Sequence, residues 1–277
     1  ERLVFEEFFL LQLGVLLRKE SNEAAQPGIA FRTDGDKANR LRAALPFQLT
    51  AAQESSLAEI EADMRRDAPM SRLLQGDVGS GKTIVAGIAL THAVENGLQG
   101  AIMAPTEILA EQHARKLLEM LAPLGLETVL LTGSLSAAER RSATEAIQAG
   151  ASIVVGTHAL IQDSVSFKNL GLVVVDEQHR FGVRQRMALS EQEGPRPDTL
   201  VMSATPIPRS LAMALYGDVD LSVLDELPPG RLPVKTALRM PDRRDGVYSF
   251  IDAQLAEGRQ AYIVYPLVTE SEKVDLL

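Results

Sequence analysis

One stretch of eight residues, GDVGSGKT at positions 76–83, restricts the fold of this chain more than any other feature. It matches the pattern G-x-x-x-x-G-K-[ST], in which glycines let successive main-chain N–H groups converge on phosphate oxygens at the start of a helix. The apolar segment MSRLLQ precedes the stretch and IVAGIAL follows it, as a strand and a helix would. The sequence therefore predicts a loop that binds a nucleoside triphosphate.

The residue types in this loop indicate individual roles in binding ATP and Mg²⁺. Lys82 can reach the β- and γ-phosphates, so we expect it to bind them and to assist catalysis. Thr83 is expected to place its hydroxyl on Mg²⁺. The predicted nucleotide-binding residues of the loop are Gly76, Asp77, Val78, Gly79, Ser80, Gly81, Lys82 and Thr83.

Two adjacent acids follow the most apolar segment of the chain, in LVVVDEQH at positions 172–179. A nearly continuous run of Val and Leu is typical of a buried strand in a parallel sheet, and open parallel sheets bind ligands at the carboxyl ends of their strands. We therefore expect Asp176 to hold Mg²⁺. Glu177 is expected to orient or deprotonate the water that attacks the γ-phosphate.

Short β-rich segments alternate with helical patterns over most of the chain. The predicted strands cover residues 70–75, 100–104, 127–131, 152–156, 170–177, 199–204 and 221–224. The segments at 82–97 and 107–125 carry apolar residues at i, i+3 and i+4 and end at glycine, as amphipathic helices do. This alternation predicts an α/β fold with a mostly parallel sheet covered by helices on both faces.

Composition changes along the chain and predicts three segments. Residues 225–234, DELPPGRLPV, contain three prolines and a glycine, which is typical of a stiff connector. After it, VKTAL, a helical pattern from Arg244 to Glu257 and QAYIVYPLV repeat the strand–helix–strand order. The predicted segments are an N-terminal helix and linker at 1–45, a nucleotide-binding domain at 46–227, and a connector with the start of a second domain at 228–277. Because the first residue is Glu1, we expect a fragment or a processed chain.

Charge and cysteine content exclude several classes of protein. The chain carries a formal net charge of −9 and no cysteine, so disulfides and thiolate metal sites are excluded. The histidines, His158 and His179 among them, are scattered, and we expect no histidine metal site. No segment is typical of a signal peptide or a membrane span, so we expect a cytoplasmic protein without a membrane partner. The negative charge disfavours strong non-specific binding to nucleic acid.

The motif DEQH is similar to the second motif of superfamily 2 helicases, and other segments resemble further motifs of these enzymes in the right order. LPFQLTAAQ at 45–53 resembles their adenine-recognising Q motif, which implies that Gln53 reads the base and that Phe47 stacks on it. SATP at 203–206 resembles motif III, which implies a set of residues that couples the γ-phosphate to motif III. The implied coupling residues are Gln178, His179, Ser203 and Thr205.

Three more segments resemble the strand-binding motifs of the same helicases. They are APTEILAEQH at 104–113, TGS at 132–134 and GTHALIQ at 156–162. Alone, the first of them is also a good amphipathic helix with a threonine cap. The resemblance instead implies that the ends of predicted strands offer main-chain N–H groups to DNA phosphates. The implied DNA-binding residues are Pro105, Thr106, Thr132, Gly133, Thr157 and His158.

Within superfamily 2, the chain most resembles the motor of the RecG family. The segments that carry this resemblance are PMSRLLQGDVGSGKT, IVVGTHALIQ, VVDEQHRFGVRQR, SATPIPRSLAMALYGD and DELPPGR. It implies a RecA-like P-loop NTPase lobe, a truncated second RecA-like lobe, and ATP-dependent remodelling of branched DNA such as stalled forks and Holliday junctions. It also implies a bacterial, nucleoid-associated monomer whose arginine motifs would lie beyond Leu277, so we expect this fragment to bind DNA weakly.

Two other functions are compatible with the phosphate loop. The first is a double-stranded DNA translocase of the transcription-repair coupling type, for which we would expect D-E-E-H in place of DEQH and no DELPPGR segment. The second is a nucleotide-dependent binding module without motor activity. The ordered strand-binding motifs and the second domain disfavour that module, because a switch needs only one lobe.

Overall fold

A computed structural model of the chain describes residues 5–7, 9–10, 12–14, 17, 27–162, 164–177, 195–205, 219–226 and 234–265. The chain divides into two compact units, Glu1–Gly230 and Arg231–Leu277. Among the described residues, no helix is both long enough and apolar enough to cross a bilayer. The described residues between positions 5 and 17 are helical, and the rings of Phe5 and Phe9 stack with their centroids 6.2 Å apart.

The first unit contains a seven-stranded sheet whose neighbouring strands are all parallel. Its order is β3-β4-β2-β5-β6-β1-β7. The strands are β1 (Ser71–Gly76), β2 (Gln99–Met103), β3 (Thr128–Leu131), β4 (Ile153–Gly156), β5 (Leu170–Asp176), β6 (Asp198–Ser203) and β7 (Asp220–Leu224). Each strand predicted for this unit forms, and each end lies within one residue of its predicted position. The α/β fold with a parallel sheet is confirmed.

The helices of the first unit either precede β1 or connect the strands that follow it. Those described are α1 (Asp36–Ala44), α2 (Ala51–Met64), α3 (Lys82–Glu95), α4 (Glu107–Leu121) and α5 (Ala137–Ala149), with short 3₁₀ helices at Ala122–Leu124 and His158–Ile161. The two amphipathic helices predicted at 82–97 and 107–125 are confirmed as α3 and α4. Crossovers of this kind are what allow parallel strands to pair.

Capping side chains determine where several helices begin. Thr50 and Gln53 form a capping box at the start of α2, because each side chain accepts a hydrogen bond from the main-chain N–H of the other. Ser136 and Glu139 do the same at the start of α5. The hydroxyl of Thr106 accepts from the N–H of Leu109 and caps α4. These local contacts satisfy N–H groups that have no partner inside the helix.

The hydrophobic core lies on both faces of the sheet. Successive residues of β5 point to opposite sides, so that Val174 packs in a cluster with α1 to α4 while Val173 and Val175 pack in a second cluster with Ile147 of α5. All of β5 is buried, as its continuous apolar sequence predicts. Coverage of both faces leaves the carboxyl ends of the strands as the open edge, where a ligand can bind.

A buried polar cluster closes the opposite, amino-terminal edge of the sheet. Arg72 of β1 is hydrogen-bonded to Asp63 at 2.7 Å, to Glu59 at 2.9 Å and to the hydroxyl of Ser222 at 2.8 Å. Asp198, the fully buried first residue of β6, accepts a hydrogen bond from the N–H of Met70 at 2.7 Å. These contacts join α2, β1, β6 and β7 at the edge away from the phosphate loop.

The second unit contains a 3₁₀ helix at Pro241–Arg243 followed by α6 (Arg244–Ala256). The predicted helix is therefore confirmed. The predicted strand at 234–238 is wrong. Residues 260–265 of the other predicted strand do not form a strand either. A strand needs a neighbour with which to exchange main-chain hydrogen bonds, and the described residues of this unit supply none. The remaining residues of QAYIVYPLV lie outside the described ranges.

Candidate nucleotide site and DNA-facing loops

The phosphate loop joins the end of β1 at Gly76 to the start of α3 at Lys82. Gly79 and Gly81 have φ angles of 83° and 93°, in the left-handed region that favours glycine. A Cβ atom on Gly81 would also collide with the Nε2 of Gln53, so that one of the two would have to move. The loop therefore has the backbone conformation that its glycine pattern predicts, at the positive end of the α3 dipole.

Lys82 points back into the loop. Its Nζ donates to the main-chain carbonyls of Gly76 at 2.6 Å and of Asp77 at 3.0 Å. Burial lowers the pKa of the Lys82 ammonium, while the charges of Asp176, Glu177 and Asp77 act in the opposite direction. The ammonium thus lies in the loop, near enough to Asp176 and Glu177 for their charges to act on it.

Two features of the loop fit a bound phosphate. Ser80 is fully buried, and its hydroxyl has no hydrogen-bond partner within the part of the chain that the structure describes. A buried hydroxyl without a partner is costly, and an anion in the loop would satisfy it. Thr83 is half-buried and is the second residue of α3, so its hydroxyl lies in the first turn of the helix that follows the loop. These residues fit the triphosphate of ATP.

Asp176 ends β5 at the same edge of the sheet. It lies opposite Met202 of β6, and Met202 in turn lies opposite Leu74 of β1, so the acid is level with the last residues before the phosphate loop. Two strand spacings amount to about 10 Å, a gap that Mg²⁺ and phosphate oxygens can bridge. Among the described residues no group of three or more acidic or histidine side chains forms a metal cage. Binding of Mg²⁺ by Thr83 and Asp176, with nucleotide oxygens as further ligands, stays a prediction.

Glu177 follows in a strained backbone conformation. Its φ is 52°, and it is the one described residue other than glycine with a positive φ. Its N–H donates to the carbonyl of Met202 at 2.9 Å, and its Oε1 accepts from the N–H of Ala204 at 3.1 Å. The two ends of β5 and β6 are thus tied together through this acid. Neighbouring Gln178 and His179, predicted to couple the γ-phosphate to motif III, lie outside the described residues.

The other two predicted coupling residues contact each other. The hydroxyls of Ser203 and Thr205 are 2.8 Å apart, and the N–H of Thr205 donates to the Ser203 hydroxyl at 3.2 Å. Ser203 ends β6 and is buried, whereas Thr205 is exposed. Together with Ala204 they form a compact turn that meets the Glu177 carboxylate.

Gln53 contacts the phosphate loop directly. Its Nε2 donates to the carbonyl of Ser80 at 2.7 Å, and its Oε1 accepts from the N–H of Thr50 at 2.9 Å. The side chain is buried, so both ends of its amide are used inside the protein. Phe47, 42% exposed, lines a separate hollow of about 600 Å³ together with Glu54 and other residues between positions 42 and 49. Recognition of the adenine base by Gln53 and Phe47 stays a prediction.

The predicted DNA-binding residues follow β2, β3 and β4 at this same edge. Gly133 and His158 are exposed, and Pro105 and Thr106 are partly exposed. The structure buries the side chains of the remaining two. They are Thr132, whose hydroxyl lies 3.1 Å from that of Ser134, and Thr157. The side chains of Thr132 and Thr157 are therefore not at the surface, and DNA binding by these six residues stays a prediction.

A model of the DEAD/DEAH box helicase family matches residues 50–214, which is more than half of the chain. The chain belongs to this helicase family. The ATP-dependent DNA helicase RecG of Aquifex aeolicus is 50% identical to it over 279 residues, and that of Bacillus subtilis is 49% identical over 276. These alignments cover 100% and 99% of the present chain but only 35% and 40% of the two relatives. The chain thus spans less than half the length of the curated relatives it matches.

Two solved helicase structures share the fold of this chain. The structure of RecG bound to a three-way DNA junction superposes with a TM-score of 0.83 at 46% identity, covering 97% of the helicase chain and 36% of that chain. The DUF1998 helicase MrfA bound to DNA superposes with a TM-score of 0.60 at 20% identity, covering 83% of this chain and 37% of the other. At that identity the second likeness shows the fold alone.

Sequence patterns missed two residues of this helicase site. Arg140 of α5 donates to the carbonyls of Thr132 and Gly133 and to the side chain of Gln162, each within 3.4 Å, and so holds two predicted DNA-facing loops together. His113 of α4 contacts Asp176. Both lie on helices whose sequences are typical of ordinary amphipathic helices. Only the position of His113 at the end of APTEILAEQH indicated that it could belong to the site.

Proposed function

We propose that this chain is the ATP-binding motor part of a RecG-type DNA helicase, which uses ATP hydrolysis to remodel branched DNA such as stalled forks and Holliday junctions. The proposal rests on one observation. The phosphate loop, Asp176 and Glu177 at the end of β5, and the turn after β6 lie at one edge of the sheet. Identity of about 50% to RecG proteins over the whole chain supports the choice of this branch of the family. We also propose that the protein acts as a monomer in the bacterial nucleoid.

The nucleotide would be held mainly by main-chain groups. N–H groups of residues 76–83 and the Lys82 ammonium would bind the phosphates, with the buried hydroxyl of Ser80 beside them. Thr83 and Asp176 would hold Mg²⁺, which supplies positive charge to the developing phosphoryl group when bound. Phe47 and Gln53 would recognise the base: Phe47 lines an open hollow on the surface, and the amide of Gln53 contacts the loop through the carbonyl of Ser80.

Glu177 is proposed as the group that orients and deprotonates the attacking water. Its carboxylate accepts a hydrogen bond from the N–H of Ala204, which orients it for this role. Because this contact joins Glu177 to the Ser203–Thr205 turn, a change at the γ-phosphate can alter motif III. We propose that Gln178 and His179 take part in the same coupling.

DNA would bind along the loops that follow β2, β3 and β4. Pro105, Thr106, Gly133 and His158 offer main-chain or side-chain groups at the exposed edge, while Thr132 and Thr157 support these loops from beneath. Backbone contacts of this kind position a strand without reading its sequence. They suit an enzyme that must move along any DNA.

The test uses the natural protein that contains this sequence and labelled forked DNA or a Holliday junction. We expect ATP-dependent conversion of both substrates into remodelled products on a native gel, and none with a non-hydrolysable analogue. The Glu177→Gln variant should bind the substrates without converting them. Displacement of a stalled RNA polymerase without fork remodelling would instead indicate the transcription-repair coupling type. Nucleotide binding without any DNA-stimulated hydrolysis would indicate a switch module.

A further inference from the structure

His113 lies against the acid that is proposed to hold Mg²⁺. Its Nε2 is 2.8 Å from the Oδ2 of Asp176, and each of these two residues is only 8% exposed. An ionised carboxylate has no proton to donate, so Nε2–H is the donor in this hydrogen bond. With Oδ2 fixed in this way, the carboxylate plane of Asp176 and the direction of its second oxygen are set by α4 rather than by solvent.

The helix that carries His113 is anchored along its length. At its start the Thr106 hydroxyl caps the first turn, and the Oε1 of Glu107 accepts from the N–H of Ser134 at 2.9 Å. Below His113 the side chains of Leu117 and Leu121 are fully buried in the core. A helix held at several points gives the imidazole a fixed position, as a group that orients a metal ligand requires.

We propose that His113 is a positioning residue which holds Asp176 in the orientation that binds Mg²⁺, an inference that rests on the proposed nucleotide site. Hydrogen bonds to metal-binding carboxylates fix their geometry, and removal of such a partner typically lowers metal affinity about 10- to 100-fold. In this proposal His113 acts through Asp176 alone. Its effect should therefore fall on the Mg²⁺ requirement and leave metal-free nucleotide binding unchanged.

Two substitutions separate the hydrogen bond from the volume of the side chain. His113→Leu fills much of the space but removes the donor. His113→Gln places an amide Nε2 near the position of the imidazole Nε2 and can donate to Asp176 again. His92→Leu is the matched control, because His92 is another buried histidine whose Nε2 meets a carboxylate, that of Glu61 at 3.1 Å, at the far end of α3.

The experiment measures binding of the non-hydrolysable analogue AMP-PNP to the 277-residue chain by calorimetry, in EDTA and across a Mg²⁺ titration. For His113→Leu we expect the Mg²⁺ concentration at half-effect to rise about 10- to 100-fold, with affinity in EDTA unchanged. His113→Gln should recover most of that loss, and His92→Leu should keep the Mg²⁺ midpoint of the parent chain. Circular dichroism of each variant establishes that it is folded.

Several outcomes would overturn the proposal. A folded His113→Leu protein with the Mg²⁺ midpoint of the parent would show that the contact does not position Asp176. Equal loss in the Leu and Gln variants would show that the donor is irrelevant. An equal shift in His92→Leu would reduce the effect to general destabilisation. If the parent chain bound no AMP-PNP at any Mg²⁺ concentration, the nucleotide site itself would be wrong, which is a separate failure.

Discussion

The Oε1 of Glu177 accepts a hydrogen bond from the main-chain N–H of Ala204 at 3.1 Å, across the ends of two adjacent strands. Glu177 reaches this position with a φ of 52°, a conformation that a glutamate adopts at a cost of about 1–3 kcal/mol. The surrounding contacts of β5 and β6 supply that energy, among them the bond from the Glu177 N–H to the Met202 carbonyl. Because Glu177 is strained and bonded to the turn after β6, we expect its conformation to be sensitive to the state of the nucleotide.

Glu177→Gln should therefore separate binding from turnover. The amide oxygen can still accept from Ala204, so the loop geometry and the affinity for ATP are expected to stay within about twofold of the parent. The amide cannot take a proton from water, and general-base contributions are typically about 10²- to 10⁴-fold in rate. Calorimetry and steady-state ATP hydrolysis by the natural protein that contains this sequence provide the two measurements. A parallel fall in both would indicate a structural role instead.

Lys82→Ala should abolish most ATP binding by the 277-residue chain. The ammonium faces the phosphate loop and is the nearest positive side chain to its carbonyls. Charge-assisted bonds to phosphate contribute roughly 1.5–3 kcal/mol each, so affinity should fall by at least about tenfold. The control is Lys116→Ala, since Lys116 is an exposed residue of α4. Equal affinity of the Lys82 variant and the control would contradict the phosphate-loop assignment.

Asp198→Asn should change how stability depends on pH. Burial raises the pKa of the Asp198 carboxyl from 3.8 to about 7, with the charge of Asp63 acting in the same direction and the Met70 N–H against it. The folded state therefore holds a proton that the unfolded chain releases above about pH 4, so this aspartate lowers stability by about 1.4 kcal/mol per pH unit between about pH 4 and pH 7. Above about pH 7 the penalty stays constant.

Because asparagine does not titrate, the stability of Asp198→Asn relative to the parent should rise between pH 5 and pH 7 and then level off. Urea denaturation at pH 5, 6, 7 and 8 measures this difference directly. Asp34→Asn, a change at an exposed aspartate, serves as the control. A constant difference at all four values would mean that Asp198 is ionised in the folded protein throughout this range.

Arg72→Ala should destabilise the first unit without altering nucleotide affinity. The guanidinium is buried and bonded to Asp63, Glu59 and Ser222, and its removal takes away the ion-pair partner of the largely buried Asp63. Breaking a buried ion pair in this way costs about 3–5 kcal/mol. Arg40→Ala removes an exposed pair with Asp36 and should cost less than about 0.5 kcal/mol. Chemical denaturation of both variants gives the comparison.

The main elements of the first unit could be predicted from the sequence because their signals are local. Apolar runs, helical periodicity, glycine stops and the phosphate-loop pattern all act over a few residues, and the structure has the strands where these signals put them. Contacts between distant segments leave no such signal. Gln53 meets Ser80, and His113 meets Asp176, only because helices cross a sheet whose order the sequence does not state. The positive φ of Glu177 could not be predicted from the sequence either, because the residue at this position is not a glycine.

The strand order also has a consequence during synthesis. β1, which leads into the phosphate loop, pairs on one side with β6 and on the other with β7. Both neighbours begin after residue 197, so a ribosome has released the loop long before the strand beneath it has any lateral partner. Such long-range parallel pairing is slow, and unpaired strand edges invite association with other chains. During synthesis, the strand that leads into the phosphate loop therefore has no lateral partner until residue 203 is free, and it keeps one open side until residue 224 is free.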